Sequence, residues 1–160
     1  MELLNMKQLL EFAVQLEKNG EKFYLDWAEK AKDDSIKKLF KFLAEEETIH
    51  KKTFEKLKTK IGESPLKEKP SDEYEDYFKT FVEQIVFNQE EVKQITDLAT
   101  ALEFAKKQEL DSLLFFTDLR NFVSLENEGL ITEIIEEERR HFVSLSKLKN
   151  KLVPDNKVKL

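Results

Sequence analysis

The stretches that decide the fold are Glu45-Glu46-Glu47-Thr48-Ile49-His50 and Glu136-Glu137-Glu138-Arg139-Arg140-His141. The chain has 2 histidines, and each stands three residues after a glutamate, behind the same triple-Glu run. Residues three apart share one face of a helix, so each run can present a carboxylate and an imidazole to the same neighbour. Ordinary helix-surface charge also produces Glu-x-x-His, so the meaning of the pair depends on the face it occupies.

That face is an apolar seam. Four long segments carry seams at alternating spacings of three and four, the pattern of helices packed in a bundle. The first reads Met6, Leu10, Ala13, Glu17, Gly20, Tyr24, Trp27, Ala31, and the second Ile36, Phe40, Leu43, Glu47, His50, Phe54, Leu57, Ile61. The third reads Leu98, Leu102, Ala105, Glu109, Ser112, Phe116, Leu119, Val123, and the fourth Ile131, Ile134, Glu138, His141, Leu145, Leu148, Leu152. Each seam is apolar or small except near its middle, where the first and third hold one Glu and the second and fourth hold a Glu and a His. The predicted helices run over about 4–32, 35–61, 97–122 and 126–151. Asp33-Asp34-Ser35 caps the second at its start, and Gly62 and Pro65 close it. The connection 62–96 contains Pro65, Pro70 and Ser71 and suggests one shorter amphipathic helix from Ser71 to Ile85. Residues 154–160 form a tail beyond a single domain at 1–153.

Bulk composition agrees. Hydrophobic residues are 40% and charged residues 38% of the 160, with 3 Gly and 3 Pro, which favours long helices over strands and turns. A net charge of −6 argues against a nucleic-acid partner. No apolar run reaches the ~18–20 residues of a membrane span, and the start lacks the features of a signal peptide, so the expected setting is the cytoplasm. With 0 Cys, disulfides and thiolate metal sites are excluded within these residues.

The chain also repeats itself. Leu10-Glu11-Phe12-Ala13 recurs as Leu102-Glu103-Phe104-Ala105, which pairs Glu17 with Glu109, Gly20 with Ser112 and Tyr24 with Phe116. Nearly the same offset pairs Glu47 with Glu138 and His50 with His141. Two antiparallel helix pairs joined by a long crossover follow. With turns near residues 33 and 124, all six polar seam residues fall within roughly 5 Å of one height at 1.5 Å per residue. Glu11 and Glu103 lie roughly 6–9 Å out of that layer and off the seam. Glu45, Glu46, Glu136 and Glu137 read as a rim. Four buried carboxylates and two imidazoles require a compensating partner, and two divalent cations would balance them. An oxygen-rich set with two nitrogens suits iron or manganese better than a metal that demands thiolates.

On these residues the chain resembles the ferritin-like superfamily and, within it, the rubrerythrin-like di-iron proteins. The stretches that carry the resemblance are LEKNGEKFY (16–24), EEETIH (45–50), QELDSLLFF (108–116) and EEERRH (136–141). It implies an all-α, ferritin-like four-helix bundle. It implies Glu17, Glu47, His50, Glu109, Glu138 and His141 as ligands of two iron ions, with Glu47 and Glu138 bridging. It also implies reaction with hydrogen peroxide or dioxygen. Two features depart from the family pattern. The Cys-rich rubredoxin-like iron domain has no counterpart in these residues, so an external electron donor is expected. An additional family glutamate, one turn beyond the third-helix ligand, is Ser112 here.

Other readings compete at single positions. Tyr24 is either a core tyrosine or a partner of the ligand layer. Gly20 and Ser112 leave room for a small oxidant or for close helix packing. Trp27 and the Phe residues read as core, and Lys51, Lys52, Lys56, Lys58 and Lys60 as a solvated face. Phe78, Phe81 and Phe87 in the crossover are spare apolar residues that would suit a homodimer. Against the redox reading stand an iron-holding protein without turnover and a helical interaction module with a structural metal. The polar seam argues against the last, because an apolar seam would be more stable.

Overall fold

Helix starts in this chain follow from short polar side chains placed just ahead of apolar runs. The structure, a computed structural model, describes residues 4–152, with every side chain except those of Val86 and Phe87. At the start of α1 (Met6–Lys30), Asn5 Oδ1 accepts the Gln8 N–H at 2.9 Å and Gln8 Oε1 accepts the Asn5 N–H at 3.0 Å, a reciprocal capping box. Asp33 accepts the N–H groups of Ser35 and Ile36 and opens α2 (Asp34–Ile61). Ser71 and Asp97 do the same for α3 (Asp72–Val92) and α4 (Leu98–Phe122). α5 spans Leu125–Leu152.

The result is all-α. α1 and α2 are joined through residues 31–33, and α4 and α5 through Val123 and Ser124. Turns this short make each pair antiparallel. The crossover is tied to the end of α4 by the Lys67 N–H, which donates to the Phe122 carbonyl at 2.9 Å. No described helix is long and apolar enough to cross a membrane.

α3 is longer than its sequence suggests. It reaches Val92 rather than Ile85, a helix of 21 residues. Residues 86–92 contain no Gly or Pro to stop it. Its inner face also buries Phe78, Phe81 and Ile85. Phe78 and Phe81 pack edge-on to Phe12 of α1, at ring-centroid distances of 5.5 and 5.8 Å, and both also meet Phe115 of α4. Phe78 and Phe81 are therefore not spare surface for a homodimer; they are 8% and 7% exposed and complete this chain's own core. The Phe87 side chain lies outside the described residues.

The core has two apolar clusters. One gathers Leu9, Leu16, Phe54, Phe115 and Ile135 with the α3 phenylalanines. The other gathers Phe23, Trp27, Phe40, Ala44, Ala105 and Leu145. Every bundle helix passes from one cluster to the other at its seam glutamate. On α1 the change falls between Leu16 and Phe23, on α2 between Ala44 and Phe54, on α4 between Ala105 and Phe115, and on α5 between Ile135 and Leu145.

Phe115 is 1% exposed and meets Phe12 edge-on at 4.9 Å, so its ring joins α1, α3 and α4. Phe115→Ala should destabilise the protein by about 3–5 kcal/mol. Phe42→Ala, at a side chain 51% exposed, should stay within about 0.5 kcal/mol. Urea unfolding of the two variants measures the contrast.

Candidate metal centre

Between the two clusters lies a polar layer sealed from water. Glu17, Glu47, His50, Glu109, Glu138 and His141 are each no more than 4% exposed. Residues i and i+3 sit one above the other on a helix, so α2 contributes Glu47 with His50 and α5 contributes Glu138 with His141. α1 adds Glu17 and α4 adds Glu109. The six side chains proposed from the seam pattern thus meet in one place.

They form two overlapping quartets. Glu17, Glu47, His50 and Glu138 bring one donor atom each within 4.8 Å of one another, and so do Glu47, Glu109, Glu138 and His141. Glu47 and Glu138 belong to both. His50 Nδ1 lies 2.9 Å from Glu138 Oε1, 3.7 Å from Glu17 Oε2 and 3.9 Å from Glu47 Oε2. His141 Nδ1 lies 3.2 Å from Glu138 Oε2, 3.4 Å from Glu47 Oε1 and 3.6 Å from Glu109 Oε2. The two oxygens of Glu47 therefore face opposite halves, as do those of Glu138. The imidazole rings are 5.9 Å apart and inclined by 24°.

Two neighbours complete the layer. The buried Tyr24 hydroxyl donates to Glu109 Oε1 across the bundle. His50 Nε2 lies 2.5 Å from Glu137 Oε2. Glu137 reads as rim in the sequence because it is one residue from the seam, about 100° around the helix from Glu138. That rotation aims it at α2, where it meets the outer nitrogen of His50. The signal was the triple-Glu run itself, whose middle member faces the adjacent helix.

The electrostatics follow from crowding. Burial first, and the charge of Glu138 next, raise the Glu17 carboxyl well above its ordinary range. Burial and the Glu17 charge raise Glu47. Burial and Glu138 push Glu109 up to about 8. For Glu138, burial and the Glu47 charge push upward, but hydrogen bonds from Glu109, His141 and His50 outweigh them and hold it ionised. Burial opposes the charging of both imidazoles, yet the surrounding carboxylates raise His50 to about 9 and His141 further. Without a cation the layer depends on protons shared among these groups.

The donor set fits a pair of divalent cations. Four carboxylates match their charge, each quartet offers three carboxylates and one imidazole nitrogen, and Glu17 Oε1 is buried with no hydrogen-bond partner. Stability of the metal-free protein should fall as pH rises. Glu109 is raised from 4.5 to about 8 and His50 from 6.5 to about 9, so the folded state holds more protons than the unfolded state across pH 5–9. Both contributions are present at the acid end of that window and are lost as pH climbs through the folded values. Melting temperature measured from pH 6 to 9 checks the sign, and Glu109→Gln should flatten the slope.

Comparison with known proteins agrees with this geometry. The structure is similar to that of a protein of Thermotoga maritima assigned as a ferritin-like diiron-carboxylate protein, with a TM-score of 0.72 and 23% identity. The match covers 96% of this chain and 99% of that one, and at this identity it establishes the fold. No curated protein matches the chain. Residues 8–149 match the family model of Rubrerythrin, a span that contains all six buried polar residues. The chain, with its two Glu-x-x-His pairs facing one buried layer, belongs to the Rubrerythrin family.

Proposed function

We propose that the protein binds two iron ions through Glu17, Glu47, His50, Glu109, Glu138 and His141 and uses them to react with hydrogen peroxide or dioxygen. The observation that carries the reading is the pair of quartets sharing Glu47 and Glu138. Two ferrous ions held by these six residues would supply electrons to a small oxidant and Lewis acidity toward it. Manganese suits the same donor set.

The protein's part is to place donors, exclude water and manage protons. Glu137 Oε2 accepts a hydrogen bond from His50 Nε2–H, so that Nδ1 faces inward and would offer its lone pair to a cation once its proton has left. The Tyr24 hydroxyl holds Glu109 Oε1 and leaves Oε2 on the His141 side. The phenylalanine-rich clusters above and below keep the layer dry, which strengthens every charge interaction in it. Protons held by the raised carboxyls and by the imidazole Nδ1 atoms must leave as cations enter. Electrons would return from an external donor.

Anaerobic titration of metal-free protein with Fe(II) should reach two ions per chain and release protons at pH 6–7. Added hydrogen peroxide should then produce rapid growth of near-ultraviolet absorbance. Two ions without fast oxidation would favour an iron-holding role, and no stoichiometric binding would sink the proposal. Glu47→Ala and Glu138→Ala should each weaken both ions. Glu17→Ala and Glu109→Ala should each weaken one, because only their own quartet loses a donor. Metal counts by titration separate these patterns.

A further inference from the structure

Gly20 lies in the middle of α1, one turn beyond Glu17, and is buried. A glycine there weakens a helix relative to alanine. Its backbone is ordinary right-handed helix, so conformational freedom does not explain it. Space does. A Cβ at this position would lie 3.3 Å from both Cγ and Cδ of Glu47 and 3.6 Å from Glu47 Oε2. The first two distances are tighter than normal side-chain contacts, so Glu47 would have to give way. A shift of a few tenths of an ångström is open to it in the metal-free layer, where Oε1 is 3.4 Å from His141 Nδ1 and Oε2 is 3.9 Å from His50 Nδ1, but would not be open to a carboxylate held at both oxygens by cations.

We infer that Gly20 is a positioning residue: its missing side chain lets the Glu47 carboxylate lie across the layer and serve both cation sites. The inference rests on the two-cation reading above. Gly20 makes room for a ligand, which answers whether its small size serves an oxidant or plain helix packing. The repeat sharpens the point, because the equivalent position is Ser112, half-buried, so only the α1 copy has no side chain at all. The two halves are alike in ligands and unlike in the space beside them.

Cobalt(II) is a suitable probe, because its visible spectrum reports ligand number and geometry without turnover. Wild-type protein should bind two Co(II) per chain. Gly20→Ala should bind at least one ion tenfold or more weakly, with an altered visible band, while its metal-free melting temperature is unchanged or raised by the better helix former. Gly129→Ala is the control. It makes the same change on α5, where an added Cβ meets nothing within 4 Å, and should titrate as wild type. A Gly20→Ala protein with wild-type affinities and spectrum would overturn the inference. So would one whose metal-free form melts well below wild type, since the space would then serve packing. Failure of the wild-type protein to bind two ions would count against the two-cation reading itself.

Discussion

Four carboxyl groups held within a few ångströms of one another and out of water would repel strongly if all were ionised, and the rest of this structure is arranged around that constraint. An isolated buried carboxylate costs several kcal/mol, and here Glu17, Glu47, Glu109 and Glu138 share one layer with two imidazoles. Such a layer persists only if surrounding structure holds it in place. The helices provide that hold: the four that carry the buried polar residues are 25 to 28 residues long, and each is anchored in an apolar cluster on either side of its glutamate. Sliding one helix far enough to take its glutamate out of the layer would shear two packed cores.

The internal repeat makes the halves alike at the six buried polar residues and at the Leu-Glu-Phe-Ala stretches, but not in what surrounds them. Tyr24 donates to Glu109, whereas its repeat counterpart Phe116 packs against Phe54 at 4.9 Å and has no hydroxyl to give. Gly20 yields space to Glu47, and Ser112 stands at the matching place. Glu137 holds the outer nitrogen of His50. A near-symmetric set of Glu and His side chains therefore sits inside an asymmetric surround. Hydrogen bonds of this kind set the orientation and basicity of the imidazole or carboxyl group they hold.

The crossover helix belongs to the same logic. α3 contributes no side chain to the layer, yet Phe78 and Phe81 close one core cluster through Phe12 and Phe115. Phe115 follows Glu109 by less than two turns of α4, so packing of α3 helps to fix the helix that carries this carboxyl. A connection that serves topologically to bring the second pair alongside the first also covers the layer's neighbourhood.

Much of this was legible in the residues. The 3–4 spacing of apolar positions set the helices, since only one face of an amphipathic helix can be buried. The six polar residues on that face stood out because burying them is costly, and the short turns placed them at one height by arithmetic on helical rise. Periodicity, however, reports which side of a helix is buried and not what lies against it. Tertiary structure alone decided that Phe78 and Phe81 fold back onto their own chain, that α3 continues past Ile85, and that Glu137 reaches His50 on another helix. It alone decided that Tyr24 meets Glu109 and that the space at Gly20 belongs to Glu47. The physical reason is common to all of these: they are contacts between helices, set by crossing angle, rotation and side-chain rotamer, none of which one helix encodes by itself.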